Sequence, residues 1–214
     1  MSGVIMSNEL DLAELICAKY SHDLAGPIGA INNGVEFLRG NDKDMKEKAI
    51  DLIRLSAEQA VVKLQFLRQV FGYVKEESEL SLSDIIYLCN LFFSLTKIKL
   101  IWNYDQNNES LSQFKSRFAK LIFNFLNLSA TILIVAGEVV ITLVSNNQFT
   151  IEVSGEKIIL DQYLIDVLKG EVALVDVSTK NAHICYLVKL IADVGAAIDI
   201  KQQDKSVVIT VKMK

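Results

Sequence analysis

Two stretches of helical apolar spacing near the start of the chain constrain its fold more than any other feature. In residues 9–39 apolar side chains recur every three or four positions, which is typical of one face of an α-helix. They are Ala13, Cys17, Leu24, Ile28, Ile31, Val35 and Leu38. Gly40 is the expected C-terminal cap, and Asp44 with Glu47 resembles a capping box that begins a second helix. The chain therefore begins with an antiparallel helical hairpin.

The second helix repeats this spacing as far as Gly72. Its apolar positions are Ile50, Ile53, Ala57, Val61, Leu64, Leu67 and Phe71. A helix of about thirty residues is roughly 45 Å long, and two such helices cannot fully cover each other's apolar faces. We expect a second copy of the hairpin to complete a dimeric four-helix bundle about a twofold axis. Packing of the hairpin against the rest of its own chain is the alternative.

The remaining sequence predicts a second domain of a different kind. We assign residues 1–75 to the hairpin domain, the charged segment 76–83 to a linker and residues 84–214 to the second domain. Helical patterns cover 84–95, 113–131, 160–168 and 182–194, and β-branched runs predict strands at 98–104, 139–144, 149–153, 197–200 and 207–211. Helices mixed with antiparallel strands indicate an α+β fold, in which the second domain is an α/β sandwich with helices on one face of its sheet.

Composition and charge narrow the class of partner. The formal net charge of -4 argues against a nucleic-acid partner, because neutralising phosphates requires a basic surface. Cys17, Cys89 and Cys185 are too far apart for a disulfide framework or a zinc site. No basic export signal opens the sequence, and polar residues interrupt the uncharged stretch 121–137. We therefore expect a cytoplasmic protein that has no membrane segment and whose partners are proteins.

His22 is the residue whose surroundings point to chemistry. At about 100° per residue, its side chain points some 200° away from the core position Leu24 and therefore to solvent. The residues one or two helical turns from it are mostly small, which leaves room for a partner to approach. They are Ala18, Lys19, Ala25, Gly26 and Gly29. On the facing part of the second helix, Val62, Gln65 and Phe66 lie off the apolar face and are expected to contact the same partner.

A solvent-facing imidazole can carry a phosphoryl group. Neutral histidine is a good nucleophile near pH 7, and phosphohistidine readily gives the group on. Asp23 could orient the ring or serve as a general base, and a solvated surface carboxylate is an equal alternative. Lys19 could steady the phosphoryl oxygens or be an ordinary surface lysine.

Two motifs give this region a family resemblance. The string His22-Asp-Leu-x-Gly-Pro-Ile resembles the H-box of histidine kinase dimerisation domains. Its extension to Gly34, together with Leu64-Gln-Phe-Leu-Arg-x-Val-Phe-Gly72, resembles the ChpT-type histidine phosphotransferases. The resemblance implies that the hairpin dimerises and that the second domain is a degenerate, Bergerat-type version of the histidine kinase ATP-binding domain. It also implies a relay through phospho-His22, from the receiver domain of a hybrid histidine kinase to response regulators.

The same resemblance implies which groups the partner supplies. The chain should need no cofactor of its own, because Mg²⁺ belongs to the receiver domain. Gly26 stands where kinases with phosphatase activity carry Thr or Asn, which predicts weak or no phosphatase activity. Beyond Val139 the only glycines are Gly155, Gly170 and Gly195, so no glycine-rich phosphate loop is present. We therefore expect neither ATP binding nor autokinase activity.

Three other readings of the sequence compete with the relay. In the first, the dimer is an adaptor that binds receiver domains while His22 is chemically silent. In the second, the chain is an ATP-dependent kinase, although Asn124 lacks the acidic neighbour that would help it hold Mg²⁺ and is better read as a structural amide. In the third, the second domain is an enzyme by itself, but no nucleophile, base and oxyanion donor occur together there. His183 has no neighbour at ligand spacing and is expected to be structural.

Overall fold

Two antiparallel helices form the N-terminal part of the computed structural model, which describes residues 9–75 and 77–214. Helix α1 spans Glu9–Leu38 and helix α2 spans Lys43–Phe71. The predicted hairpin and α+β fold are confirmed. The first eight residues of the predicted hairpin domain lie outside the described residues.

The turn between α1 and α2 differs from its prediction. Asp42 is the N-cap of α2, and its carboxylate accepts hydrogen bonds from the backbone N–H groups of Asp44 at 2.9 Å and Met45 at 3.3 Å. The predicted capping box of Asp44 and Glu47 is wrong, because the helix has already begun at Lys43. A short polar side chain next to free amide groups is a sufficient cap by itself.

The C-terminal part is a layered arrangement of helices on a sheet. Its helices are α3 (Leu82–Ser94), α4 (Ser116–Ile132), α5 (Gln162–Leu168) and α6 (Ala182–Asp193), with a short 3₁₀ helix at Glu109–Leu111. Its strands are β1 (Glu79–Ser81), β2 (Ile98–Asn103), β3 (Gln113–Lys115), β4 (Gly137–Ser145), β5 (Gln148–Gly155), β6 (Ala197–Gln203) and β7 (Ser206–Lys212). The segment 76–83, predicted to be a linker, thus contains β1 and the first residues of α3.

Five strands form the main sheet, in the order β2-β4-β5-β7-β6. Four of the strands form antiparallel hairpin pairs as predicted, but β2 and β4 are parallel. The parallel pair arises because α4 crosses over between these two strands, and a parallel connection needs such a crossover. Strands β1 and β3 form a separate antiparallel pair.

Helix α4 lies in the centre of the core, between the sheet and the hairpin. On the sheet side, the rings of Phe118 and Phe125 pack against Phe149 of β5, with ring centroids 5.5 and 5.9 Å apart. On the other side, Phe66 and Val70 of α2 are fully buried in the same core. The C-terminal end of the hairpin is therefore part of the sandwich core, whereas its tip extends away from it. Within the described residues, no helix combines the length and apolar character needed to cross a membrane.

Candidate functional site

His22 lies near the middle of α1 with 89% of its side chain exposed. The ring points to solvent, as the helical spacing predicts, because the opposite side of α1 packs against α2. Pro27 and Gly34 mark that packed side, and both are buried. An added Cβ at Gly34 would lie only 2.6 Å from Cγ1 of Ile53, so glycine is required there for the two helices to approach.

Two charged residues, Asp23 and Lys19, lie close to the His22 ring. Oδ1 of Asp23 is 3.6 Å from Nδ1 of His22, which is close enough for electrostatic attraction but longer than a hydrogen bond. Oδ2 of the same carboxylate is 3.4 Å from Nζ of Lys19. A negative charge on this side favours the tautomer whose proton is on Nδ1, which leaves the lone pair of Nε2 free to attack an electrophile.

The predicted small residues around His22 form an open surface. Ala18, Ala25, Gly26 and Gly29 are all exposed, and Lys19 is half-buried. Beyond its own helix backbone, an added Cβ at Gly26 or Gly29 would meet no atom of the described residues within 4 Å. Packing within the chain therefore does not require glycine at these two positions, in contrast to Gly34.

The second helix presents only part of the expected contact surface. Gln65 is exposed and Val62 is half-buried at the level of His22, so both are accessible to a partner. Phe66 corrects the sequence prediction, because its ring is fully buried and unavailable to a partner. It stacks on Phe92 of α3 with centroids 3.8 Å apart and meets Phe123 of α4 edge-on at 5.8 Å. The sandwich covers this side of α2, which the helical period alone does not reveal.

Two apolar residues that the sequence reading missed extend the open surface toward the hairpin tip. Phe37 is 47% exposed and Leu55 is 48% exposed. Phe37 lies about 60° from His22 around α1, and Leu55 lies seven residues, or two turns, before Val62 on α2. Both lie off the apolar face that the spacing defines. A large apolar residue off the apolar face is the sequence signal that could have identified Phe37 and Leu55. The same signal is misleading for Phe66, which also lies off that face but is buried.

The polar residues of α4 serve the fold. Nδ2 of Asn124 donates to the backbone oxygens of Val70 at 2.9 Å and Lys120 at 2.8 Å, so the expected role as a structural amide is confirmed. Nζ of Lys120 donates to the backbone oxygen of Gly72. Burial, assisted by the nearby Arg117, lowers the pKa of Lys120 to about 8. Both side chains thus bind carbonyl groups at the C-terminal end of α2, which the helix itself leaves without partners.

Among residues 9–75 and 77–214, no three His, Cys, Asp or Glu side chains come together as ligands of a metal ion would. Cys17 is exposed, whereas Cys89 and Cys185 are buried, and no disulfide joins any of them to another described residue.

A family model, a curated relative and a solved structure are all phosphotransferases. Residues 83–206 match the family model described as histidine phosphotransferase C-terminal domain. Protein phosphotransferase ChpT of Brucella abortus (strain 2308) is 26% identical over 214 residues, covering 98% of this chain and 99% of the relative. A solved structure described as a bacterial phosphotransferase has a TM-score of 0.81 and 25% identity, covering 99% of this chain and all of the other. The catalytic domain of histidine kinase ThkA aligns with 64% of this chain at 14% identity and a TM-score of 0.44.

Proposed function

The chain belongs to the histidine phosphotransferase family, and from that premise we propose that it relays a phosphoryl group through His22. The donor is the receiver domain of a hybrid histidine kinase, and the acceptors are response regulators. The observation that carries the proposal is an exposed imidazole surrounded by small residues that no contact within the chain requires.

The transfer can be written with its bonds in balance. Nε2 of His22 attacks the phosphorus of an aspartyl phosphate on the donor, the bond from phosphorus to the aspartate oxygen breaks, and the carboxylate leaves with the electron pair. The acceptor's aspartate then attacks the phosphohistidine, and the imidazole leaves. Positioning and charge neutralisation dominate this chemistry, so Mg²⁺ and the basic residue of the receiver supply most of what is needed. Asp23 holds the ring tautomer, and Lys19 is near enough to neutralise charge on the phosphoryl oxygens.

The open surface from His22 to the hairpin tip is the proposed docking site for receivers. Ala18, Ala25, Gly26 and Gly29 let a partner approach the α1 backbone closely. The exposed ring of Phe37 and the exposed side chain of Leu55 add apolar area on the same side of the hairpin. Buried apolar contacts near the centre of an interface contribute most of its affinity.

We also propose that the protein is a homodimer. Several large apolar residues of the hairpin are 42% to 58% exposed, an unusual amount for a soluble single chain. They are Ile28 and Val35 of α1 and Ile50, Val61 and Leu64 of α2. Val35 comes one position after the buried Gly34, and Ile50 comes one position after the buried Ala49. On both helices the exposed apolar face is therefore rotated in the same sense, by one residue, from the side that contacts the other helix. Because the helices are antiparallel, both faces lie on one side of the hairpin, where a second copy can complete a four-helix bundle.

The burial of α4 supports transfer without ATP. In the order of elements, α4 takes the place of the nucleotide-binding helix of a kinase. Its Asn124 and Lys120 side chains donate hydrogen bonds to backbone carbonyls at the end of α2. We therefore propose that the C-terminal sandwich is a degenerate ATP-binding domain, without autokinase activity. Gly26 offers no amide or hydroxyl to orient a water molecule, so we also propose that phosphatase activity is weak or absent. The lack of a disulfide among the described cysteines fits a cytoplasmic location.

The deciding experiment is transfer from a receiver domain that carries a radiolabelled aspartyl phosphate. The wild-type protein should acquire acid-labile, base-stable label within minutes, and His22→Ala should acquire none while binding the receiver equally well. Equal binding with no label on either protein would replace the relay with a docking role. The His22→Ala variant is expected to fold normally, because its side chain is exposed.

A further inference from the structure

Pro27 lies inside α1, four residues after Asp23. In an α-helix each backbone N–H donates to the carbonyl oxygen four residues earlier, and proline has no N–H. The carbonyl of Asp23 therefore cannot receive the helical hydrogen bond that residue 27 would normally supply. Backbone polar groups that are shielded from water need a partner, and Asp23 is half-buried. Another donor is expected beside this carbonyl.

The second helix of the hairpin supplies that donor. Nζ of Lys63 on α2 donates to the backbone oxygen of Asp23 at 3.3 Å, across forty positions of sequence. Pro27 is buried on the side of α1 that packs against α2, so the helical donor is lost where the second helix is close enough to replace it. The Lys63 side chain is half-buried in this contact. Lys63 thus ties the two helices together at the residue next to His22.

Asp23 is held at both its side chain and its main chain. Oδ2 of its carboxylate is 3.4 Å from Nζ of Lys19, and Oδ1 is 3.6 Å from Nδ1 of His22. Its backbone oxygen accepts the hydrogen bond from Lys63. Because His22 and Asp23 are consecutive residues, a fixed Asp23 carbonyl also determines where the His22 ring stands relative to α2.

A second hydrogen bond joins the helices at the same level. The hydroxyl of Tyr20 donates to the backbone oxygen of Leu64 at 3.2 Å. Lys63 and Leu64 are adjacent on α2, and Tyr20 and Asp23 lie on either side of His22 on α1. The two bonds run in opposite directions, each from a side chain to the backbone of the other helix. Polar bonds across an otherwise apolar contact set the register of two helices, since a slip of one residue would break both.

We propose that Lys63 is a positioning residue for phosphoryl transfer, which supplies the hydrogen bond that Pro27 removes and so fixes the backbone beside His22 against α2. The inference rests on the proposed relay function and adds to it a residue of the second helix. The proposed docking site spans both helices, and the aspartyl phosphate of the receiver must lie in line with Nε2 of His22. The Lys63 bond keeps the imidazole at one height and rotation relative to α2. Lys63 acts through the backbone of Asp23 rather than on the phosphoryl group itself.

A double-mutant cycle of Lys63 and Pro27 tests this role. Lys63→Met keeps the length of the side chain and removes its donor, and at saturating receiver it should slow transfer about tenfold with the receiver dissociation constant unchanged. Lys63→Arg keeps a donor and should restore most of the rate. Pro27→Ala returns a backbone N–H to the Asp23 carbonyl, so adding Lys63→Met to that variant should slow it by less than about twofold. A tenfold slowing in both backgrounds would overturn the proposal, because the lysine would then act through something other than this bond.

The same cycle has a readout that does not depend on activity. In denaturant titrations, Lys63→Met should lower the unfolding midpoint when Pro27 is present and leave it nearly unchanged in the Pro27→Ala background, because the helical donor then serves the same carbonyl. An equal loss in both backgrounds would contradict the replacement of the missing bond by Lys63.

A small phosphoryl donor separates positioning from the reactivity of the imidazole. Phosphoramidate needs no docking surface, so it should phosphorylate His22 equally fast in the wild type and in Lys63→Met. A Lys63→Met protein that is slow with phosphoramidate as well would mean that the lysine acts on the imidazole directly, and the positioning role would be wrong. Lys48→Met is the matched control: this exposed lysine lies about four turns earlier on α2, and its loss should leave both rates unchanged.

Failure of the relay would look different from failure of the positioning role. A wild-type protein that reacts with phosphoramidate but accepts nothing from a phosphorylated receiver contradicts the relay and, with it, the role of Lys63. A wild type that accepts the group from a receiver no faster than Lys63→Met does contradicts the positioning role alone and leaves the relay intact.

Discussion

Helices α1 and α4 are the two helices on which phosphoryl chemistry could be sought, and their environments are opposite. Only three of the thirty residues of α1, Leu12, Pro27 and Gly34, are buried. Fourteen of the seventeen residues of α4 are buried, including Lys120 and Asn124. The polar side chains of α4 bind backbone carbonyls of α2, whereas His22 on α1 faces solvent.

This contrast is why the relay proposed above places the chemistry on α1 and a structural role on α4. A buried amide must satisfy its hydrogen bonds inside the protein, so Asn124 is committed to holding the hairpin against the sandwich. An exposed imidazole makes no such commitment and can meet successive partners. The sandwich then acts as support for the hairpin.

The largest effect is expected on the exposed face of the hairpin, away from α4. The double substitution Val61→Glu and Leu64→Glu places four negative charges in the proposed dimer interface. It should raise the dimer dissociation constant by more than about 1,000-fold, because burying unpaired charges costs several kcal/mol. Sedimentation measurements at micromolar concentration should give a dimer for the wild type and a monomer for the variant. A monomeric wild type would mean that the exposed apolar residues have some other use.

The open surface around His22 gives the next largest effect. At Gly29 an added Cβ would meet no described atom beyond its own helix backbone, so Gly29→Leu should fold normally yet slow phosphoryl transfer about 100-fold by obstructing the receiver. Gly29→Ala is the matched control, and it should transfer well while gaining up to about 1 kcal/mol of helix stability. Single-turnover transfer and thermal unfolding measure the two effects. Rapid transfer by Gly29→Leu would place receiver docking elsewhere on the hairpin.

Substitution in α4 should change stability rather than chemistry. Asn124→Ala leaves the carbonyl of Val70 without its donor and should lower the free energy of unfolding by about 2 kcal/mol. Asn32→Ala on α1 removes an exposed amide and should change it by less than about 0.5 kcal/mol. Denaturant titration gives both values, and the transfer rate per folded molecule should be normal in both variants. A slow but stable Asn124→Ala protein would contradict the purely structural role of α4.

The smallest effect concerns acid stability and His183. Its pKa is about 4 in the folded protein and near 6.5 in an unfolded chain, so between these values the unfolded chain binds a proton that the folded chain does not. The contribution is complete above pH 6.5 and is lost as the pH falls toward 4. From pH 7 to pH 5 it should lower the free energy of unfolding by roughly 2 kcal/mol. His183→Gln should lose less stability than the wild type over the same range in parallel denaturant titrations, and identical losses would contradict the buried neutral ring.

The hairpin and the exposure of His22 could be predicted because they depend on local periodicity. Apolar spacing defines which side of a helix is covered, and it placed His22 opposite Leu24 without any knowledge of other elements. The cap at Asp42 was missed by two positions in a turn that holds several suitable residues. Helix ends of this kind are determined by local geometry that composition alone does not resolve.

Contacts between distant segments could not be read in the same way. Phe66 was predicted to lie on a partner surface, but Phe92 and Phe123 cover it. Helical periodicity shows which residues lie off the apolar face of a helix, but it does not show which other elements pack against them. The parallel pairing of β2 with β4 and the burial of His183 depend likewise on how α4 and α6 pack.

The sequence by itself determined two long helices, an exposed histidine on a surface of small residues and a second domain without glycine-rich phosphate loops. These properties follow from spacing along the chain, which is a one-dimensional quantity. Only the tertiary structure decided that Asn124 of α4 binds the end of α2 and that His183 is buried. The reason is that the Asn124–Val70 contact joins residues more than fifty positions apart, and burial exists only after the layers have packed.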